Sequence, residues 1–118
     1  MSPTLCSQAL LAAALVAGCA TAVVRPEASD ARWASERWPG ATVESLSAGR
    51  DLFVARCAGC HHLPRPDARS PDEWAAVVGE MARGARLTTA ETDLVLHYLG
   101  AASQRLRDRK STRLNSSH

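Results

Sequence analysis

From Thr42 to Cys57 the chain reads "TVESLSAGRDLFVARC", and Leu46, Gly49, Phe53 and Cys57 recur three or four positions apart. That spacing is one face of a helix, and the face ends on a cysteine. A second helix is predicted to open at "SPDE", where Ser70 caps, Pro71 suits the first turn and Glu73 closes a capping box. Trp74, Val77, Val78 and Met81 then share a side, and Gly84 is placed to end the helix. A third opens at "TTAE", with Thr88 as cap and Glu91 closing its box, and "TDLVLHYLGAASQRL" carries the apolar spacing onward. No strand pattern is present, so the expected fold class is all-α.

The chain outside these helices divides into three parts. Residues 1–18 hold no acidic or basic side chain, and "QALLAAALVAGC" is an apolar run that closes on small residues before Cys19. It falls short of the roughly 20 apolar residues of a stable membrane span, so a cleaved export signal is expected. "LVAGC" resembles the lipobox of bacterial lipoproteins, which implies cleavage before Cys19 and lipidation of Cys19 itself. An ordinary secretory signal with a chance cysteine is the other reading, and the lack of Lys or Arg near Met1 departs from the usual positive start. Residues 19–40 are rich in Ala, charge and breakers, and are expected to form the lipid anchor and a flexible tether. A coil of about 20 residues would stand the domain off a membrane by roughly 25 Å. Trp33 and Trp38 would then dock on the domain or lie at the lipid interface.

Residues 41–107 are expected to be the folded domain, and residues 108–118, "DRKSTRLNSSH", to lie outside it. That last string has no apolar period or cap, is not expected to continue the preceding helix, and resembles the translation of a sequencing-library adapter. It also changes the electrostatics. Of the 14 basic and 12 acidic residues, it holds three and one, so the remainder carries no net charge. The apparent basicity is therefore no argument for nucleic acid.

Candidate chemistry is concentrated in "ARCAGCHHLPRP", where Cys57 and Cys60 stand three apart and His61 follows directly. Two thiols at this spacing serve zinc, a redox dithiol, a mutual bridge or two thioethers to haem. In C-x-x-C-H the cysteines fasten the porphyrin edge, and the next residue reaches the iron from the same side. Zinc requires a fourth good ligand, which His61 and His62, as sequence neighbours, supply poorly. A thioredoxin-like dithiol calls for a βαβ context that the pattern lacks. Covalent haem, with Cys57 and Cys60 as thioethers and His61 as proximal ligand, is the expectation, and export agrees with it.

At these residues the chain resembles class I c-type cytochromes. "GRDLFVARCAGCH" looks like the first helix of that family and "DLVLHYLG" like its last, over about Thr42 to Leu99. The resemblance implies a small helical domain around one haem c, with the two helices crossing where Gly49 and Phe53 meet Val95 and Tyr98. It also implies a proline carbonyl, from Pro64, Pro66 or Pro71, that orients the proximal histidine. The middle departs from the family: the span after His61 is short, and no Pro-flanked methionine loop is evident.

Met81 leads as distal iron ligand, because it is the single methionine after the initiator and the nine residues from His62 to Ser70 can round the porphyrin edge. At ~3.3 Å per residue they reach about 30 Å. Core packing is the alternative for Met81; His62 and His97 are the other native candidates. Arg65, Arg69 and Arg86 are weak candidates for haem propionates, and Trp74 is expected to pack on porphyrin or core. The function this implies is a membrane-tethered monohaem cytochrome on the periplasmic side, not an enzyme, carrying single electrons between a redox donor and acceptor protein. A haem sensor or peroxidase-like protein with an open distal site, and a non-haem structural lipoprotein, are the competing classes.

Overall fold

The computed structural model describes residues 23–57 and 62–116, and every regular element among them is helical. Helix α1 spans Ala28–Arg37, α2 Val43–Cys57, α3 Pro71–Gly84 and α4 Thr89–Ser116, with a short 3-10 turn at Pro66–Ala68. The long helix α4 touches each of the others, so the fold is organised on it.

Helix α2 buries Leu46, Gly49, Phe53 and Cys57, the four positions that its sequence pattern places on one face. Its start is fixed by Thr42, whose side chain accepts the Ser45 N–H at 3.0 Å. The crossing with α4 depends on Gly49. A Cβ there would collide with the Leu94 carbonyl and come within 3.0 Å of the Tyr98 Cβ. Only a residue without a side chain lets the two backbones approach this closely. One turn on, the Phe53 and Tyr98 rings lie 6.2 Å apart between centroids.

Both expected capping boxes are present. In α3 the Glu73 N–H donates to Ser70 Oγ at 3.2 Å and the Ser70 N–H donates to Glu73 at 2.9 Å. In α4 the Glu91 N–H donates to Thr88 Oγ1 at 3.1 Å and the Thr88 N–H to Glu91 at 3.0 Å. Helix α3 ends at Gly84, but the left-handed residue that turns the chain is Arg86, with φ of 56°. The Leu87 N–H closes this turn on the Ala82 carbonyl at 3.0 Å.

Two expectations about the chain ends are corrected. The segment expected to be a flexible tether contains α1 and is docked from Val23 onward. Its buried residues are Asp30 and Ala34, which no hydrophobicity pattern picks out. Asp30 is buried because its carboxylate receives the Glu27 N–H at 2.7 Å and faces Arg105 Nε at 3.3 Å. Ala34 packs with Leu46 and Ala101. Trp38 closes the segment under Gly100, where an added Cβ would meet its ring at 2.9 Å.

At the other end, α4 continues through Asp108 as far as Ser116, against the expectation that the last residues leave the helix. From Arg105 to Ser116 there is neither Gly nor Pro, and the Arg, Leu and Lys residues there are good helix formers, so no local signal stops the helix. Gln104 and Asp108 link successive turns at 3.1 Å.

Candidate cofactor site

Helix α2 delivers Cys57 to the principal core, where it is 7% exposed among Phe53, Trp74, Val78, Val95, Tyr98, Leu99 and Ala102. Around this cluster stand apolar side chains that keep part of their surface open. They are Val23 and Val24 from the segment before α1, Leu52 from α2, Leu63 from the loop after the cysteine motif, Val77 and Met81 from α3, Leu87 from the α3–α4 turn, and Leu96 from α4. A cysteine held among hydrocarbon suits a neutral sulfur, thiol or thioether, better than a thiolate, whose charge burial penalises.

Cys60, His61 and Cys19 lie outside the described residues. Among the described residues no three His, Cys, Asp or Glu side chains gather as a metal site. What can be placed is the surrounding set. Met81 reaches the same cluster as Cys57 and is only partly buried there, one helical turn beyond Val77 and Val78. His97 is directed elsewhere: its ring stacks on Trp38, centroids 4.3 Å apart and planes 19° apart. Burial in that stack pushes the His97 pKa down, against a smaller opposing pull from Asp93. His62 is exposed. Of the native candidates for distal ligand, Met81 packs against the cluster that holds Cys57, while the ring of His97 is engaged by Trp38.

Trp74 is buried, and its indole N–H donates to the Pro66 carbonyl at 2.7 Å. This bond ties the loop after the motif to α3 and engages one of the three proline carbonyls considered for orienting a histidine. Arg65 pairs with Asp67 at 3.0 Å and holds that carboxyl below the usual carboxylate range. Arg69 lies over the Trp74 ring at 5.9 Å, while its carbonyl accepts from Ser103 Oγ at 2.5 Å. Arg86 is exposed at the turn.

Sequence reasoning missed a polar clasp that ties the segment before α1 to α2 and α4. The Tyr98 hydroxyl donates to the Val24 carbonyl at 2.8 Å, and burial pushes its pKa up to about 12. Arg50 Nε donates to the Val23 carbonyl at 3.1 Å. Arg105 donates to the Arg25 carbonyl at 2.7 Å and pairs with Glu27 at 2.6 Å. The available signal was "PEASD", a proline and two acids at a helix start, which carries no information about the distant arginines.

No helix among the described residues is long and apolar enough to cross a membrane. Compared with protein-family models, curated proteins and solved structures, the chain matches none.

Proposed function

We propose that this chain is a small monohaem c-type cytochrome that carries single electrons between redox protein partners, held through a lipidated Cys19 on the periplasmic side of a bacterial membrane. The observation that carries the reading is the start of "CAGCH" at Cys57, buried at the end of α2 in an apolar cluster that also receives Met81. Cys57 and Cys60 would hold the haem as thioethers, His61 would be the proximal ligand and Met81 the distal one. Bound there, haem supplies a reversible one-electron couple at its iron.

The chain's own contribution is rigidity and exclusion of water. Trp74, Phe53, Tyr98 and Leu99 are all at most 1% exposed and surround Cys57 with hydrocarbon. The Trp74–Pro66 bond fixes the loop that follows the motif, and the Ser70–Glu73 box fixes the start of the helix that bears Met81. A domain of this size buries little surface by itself, so a covalent cofactor would also be its staple. The test is a Cys57→Ala, Cys60→Ala double variant produced with a haem-maturation system. The parent should retain haem through denaturing electrophoresis and the variant should not; equal staining of both would overturn the assignment.

A further inference from the structure

We infer that the domain rides directly against the lipid surface on a leash of three residues, Ala20 to Ala22, with the Arg50 and Val54 side of α2 toward the headgroups. This rests on the lipidation of Cys19 in the reading above and deepens it.

The clasp decides the length of the leash. From Val23 the chain belongs to the domain: Val23 and Val24 pack on the principal core, and their carbonyls accept hydrogen bonds from Arg50 and from the buried Tyr98. The next residues are held by Arg105, and α1 is seated by Ala34 and Trp38. Between Cys19 and the first docked residue there remain four peptide steps, at most about 14 Å of extended chain. A freely coiled tether over the same sequence would allow roughly 25 Å on average.

The docked end of the leash also fixes which side faces the lipid. Val23 is bonded to Arg50, so the bilayer lies beyond that side of α2. Val54, one helical turn further on the same side, is 39% exposed, one of two large apolar side chains so exposed among the described residues. Arg25 is exposed beside the leash, but Asp51, exposed and 4.0 Å from Arg50, offsets charge on that side, so the short leash and Val54 rather than net charge carry the contact. Cys57 follows Arg50 by seven residues, about 10 Å along the helix, so the cofactor attachment stays close to the membrane plane. A partner embedded in the same bilayer fits that placement; a carrier that must be met far from the surface does not.

Neutron reflectometry on the lipidated holoprotein tests this, using a supported bilayer of phosphatidylcholine with a minor share of phosphatidylglycerol. The protein layer should begin within about 15 Å of the headgroups. A Gly-Ser segment of about 20 residues inserted between Ala22 and Val23, outside the clasp, should open a hydrated gap of roughly 25 Å. A gap of that size in the parent would overturn the short leash while leaving anchoring intact. Mass spectrometry of the mature N-terminus separates the other failure: absence of lipid on Cys19 would remove the anchor and the leash together.

Discussion

Trp38 and His97 stack face to face, with centroids 4.3 Å apart and planes 19° apart, and so join the segment after α1 to the last helix. The stack buries the imidazole and holds its pKa below the ordinary value. Trp38→Ala should return the His97 titration toward about 6.5, the unperturbed value, as followed by NMR of the reduced protein. It should also cost about 2 kcal/mol in urea unfolding, below the range for a fully buried tryptophan because Trp38 keeps part of its surface. An unchanged midpoint would mean that the ring does not shield His97.

Gly49→Ala places a methyl group where the Leu94 carbonyl stands. Neither backbone can give way without separating α2 from α4, so the expected loss is about 1–3 kcal/mol in chemical denaturation, as for overpacked cores. Gly79→Ala is the control: its Cβ meets nothing within 4 Å, and the change should be neutral or slightly stabilising.

Asp30 gives the clasp a pH dependence. Burial raises its pKa, opposed by the Glu27 N–H and by Arg105. A raised carboxyl pKa contributes stability that is full below the unfolded value of about 3.9 and is lost as pH rises through the folded value. Asp67 and Glu91, whose pKa values are lowered, act with the opposite sign, but they are common to parent and variant. In urea unfolding at neutral and mildly acidic pH, the parent should therefore gain stability relative to Asp30→Asn on acidification. A relative loss would show that the Arg105 pairing outweighs burial.

Met81→Ala separates ligation from packing. If the thioether binds iron, the variant keeps its covalent haem, the ferrous form takes up carbon monoxide, and the oxidised form loses the weak sulfur-to-iron band. A side chain that only packs predicts intact ligand bands with a loss of roughly 1–2 kcal/mol, below the range for a fully buried methionine because Met81 keeps part of its surface.

The parts of this fold that were legible in the sequence are those written by hydrophobic period and by caps. Leu46, Gly49, Phe53 and Cys57 recur at helical spacing and are all buried on one face of α2. The two boxes at Ser70 and Thr88 are local and need no tertiary context. The docking of α1 was not legible because it rests on a buried aspartate, an alanine and an arginine 75 residues away. Charge reads as solvated surface until its partner is known. The end of α4 was not legible because lack of an apolar face does not by itself stop a helix in a stretch without Gly or Pro. At the candidate site the proposed chemistry rests on the sequence motif, the spacing of Cys57, Cys60 and His61, and the structure contributes the buried Cys57 and its neighbours.

The central claim is covalent haem at Cys57 and Cys60, and a pyridine haemochrome spectrum taken before and after acid–acetone extraction tests it most directly. The account predicts one haem per chain, with the band position of a porphyrin whose vinyl groups have become thioethers, and colour that stays with the protein through extraction. Colour that passes wholly into the solvent, or a protein that matures without colour, would contradict it.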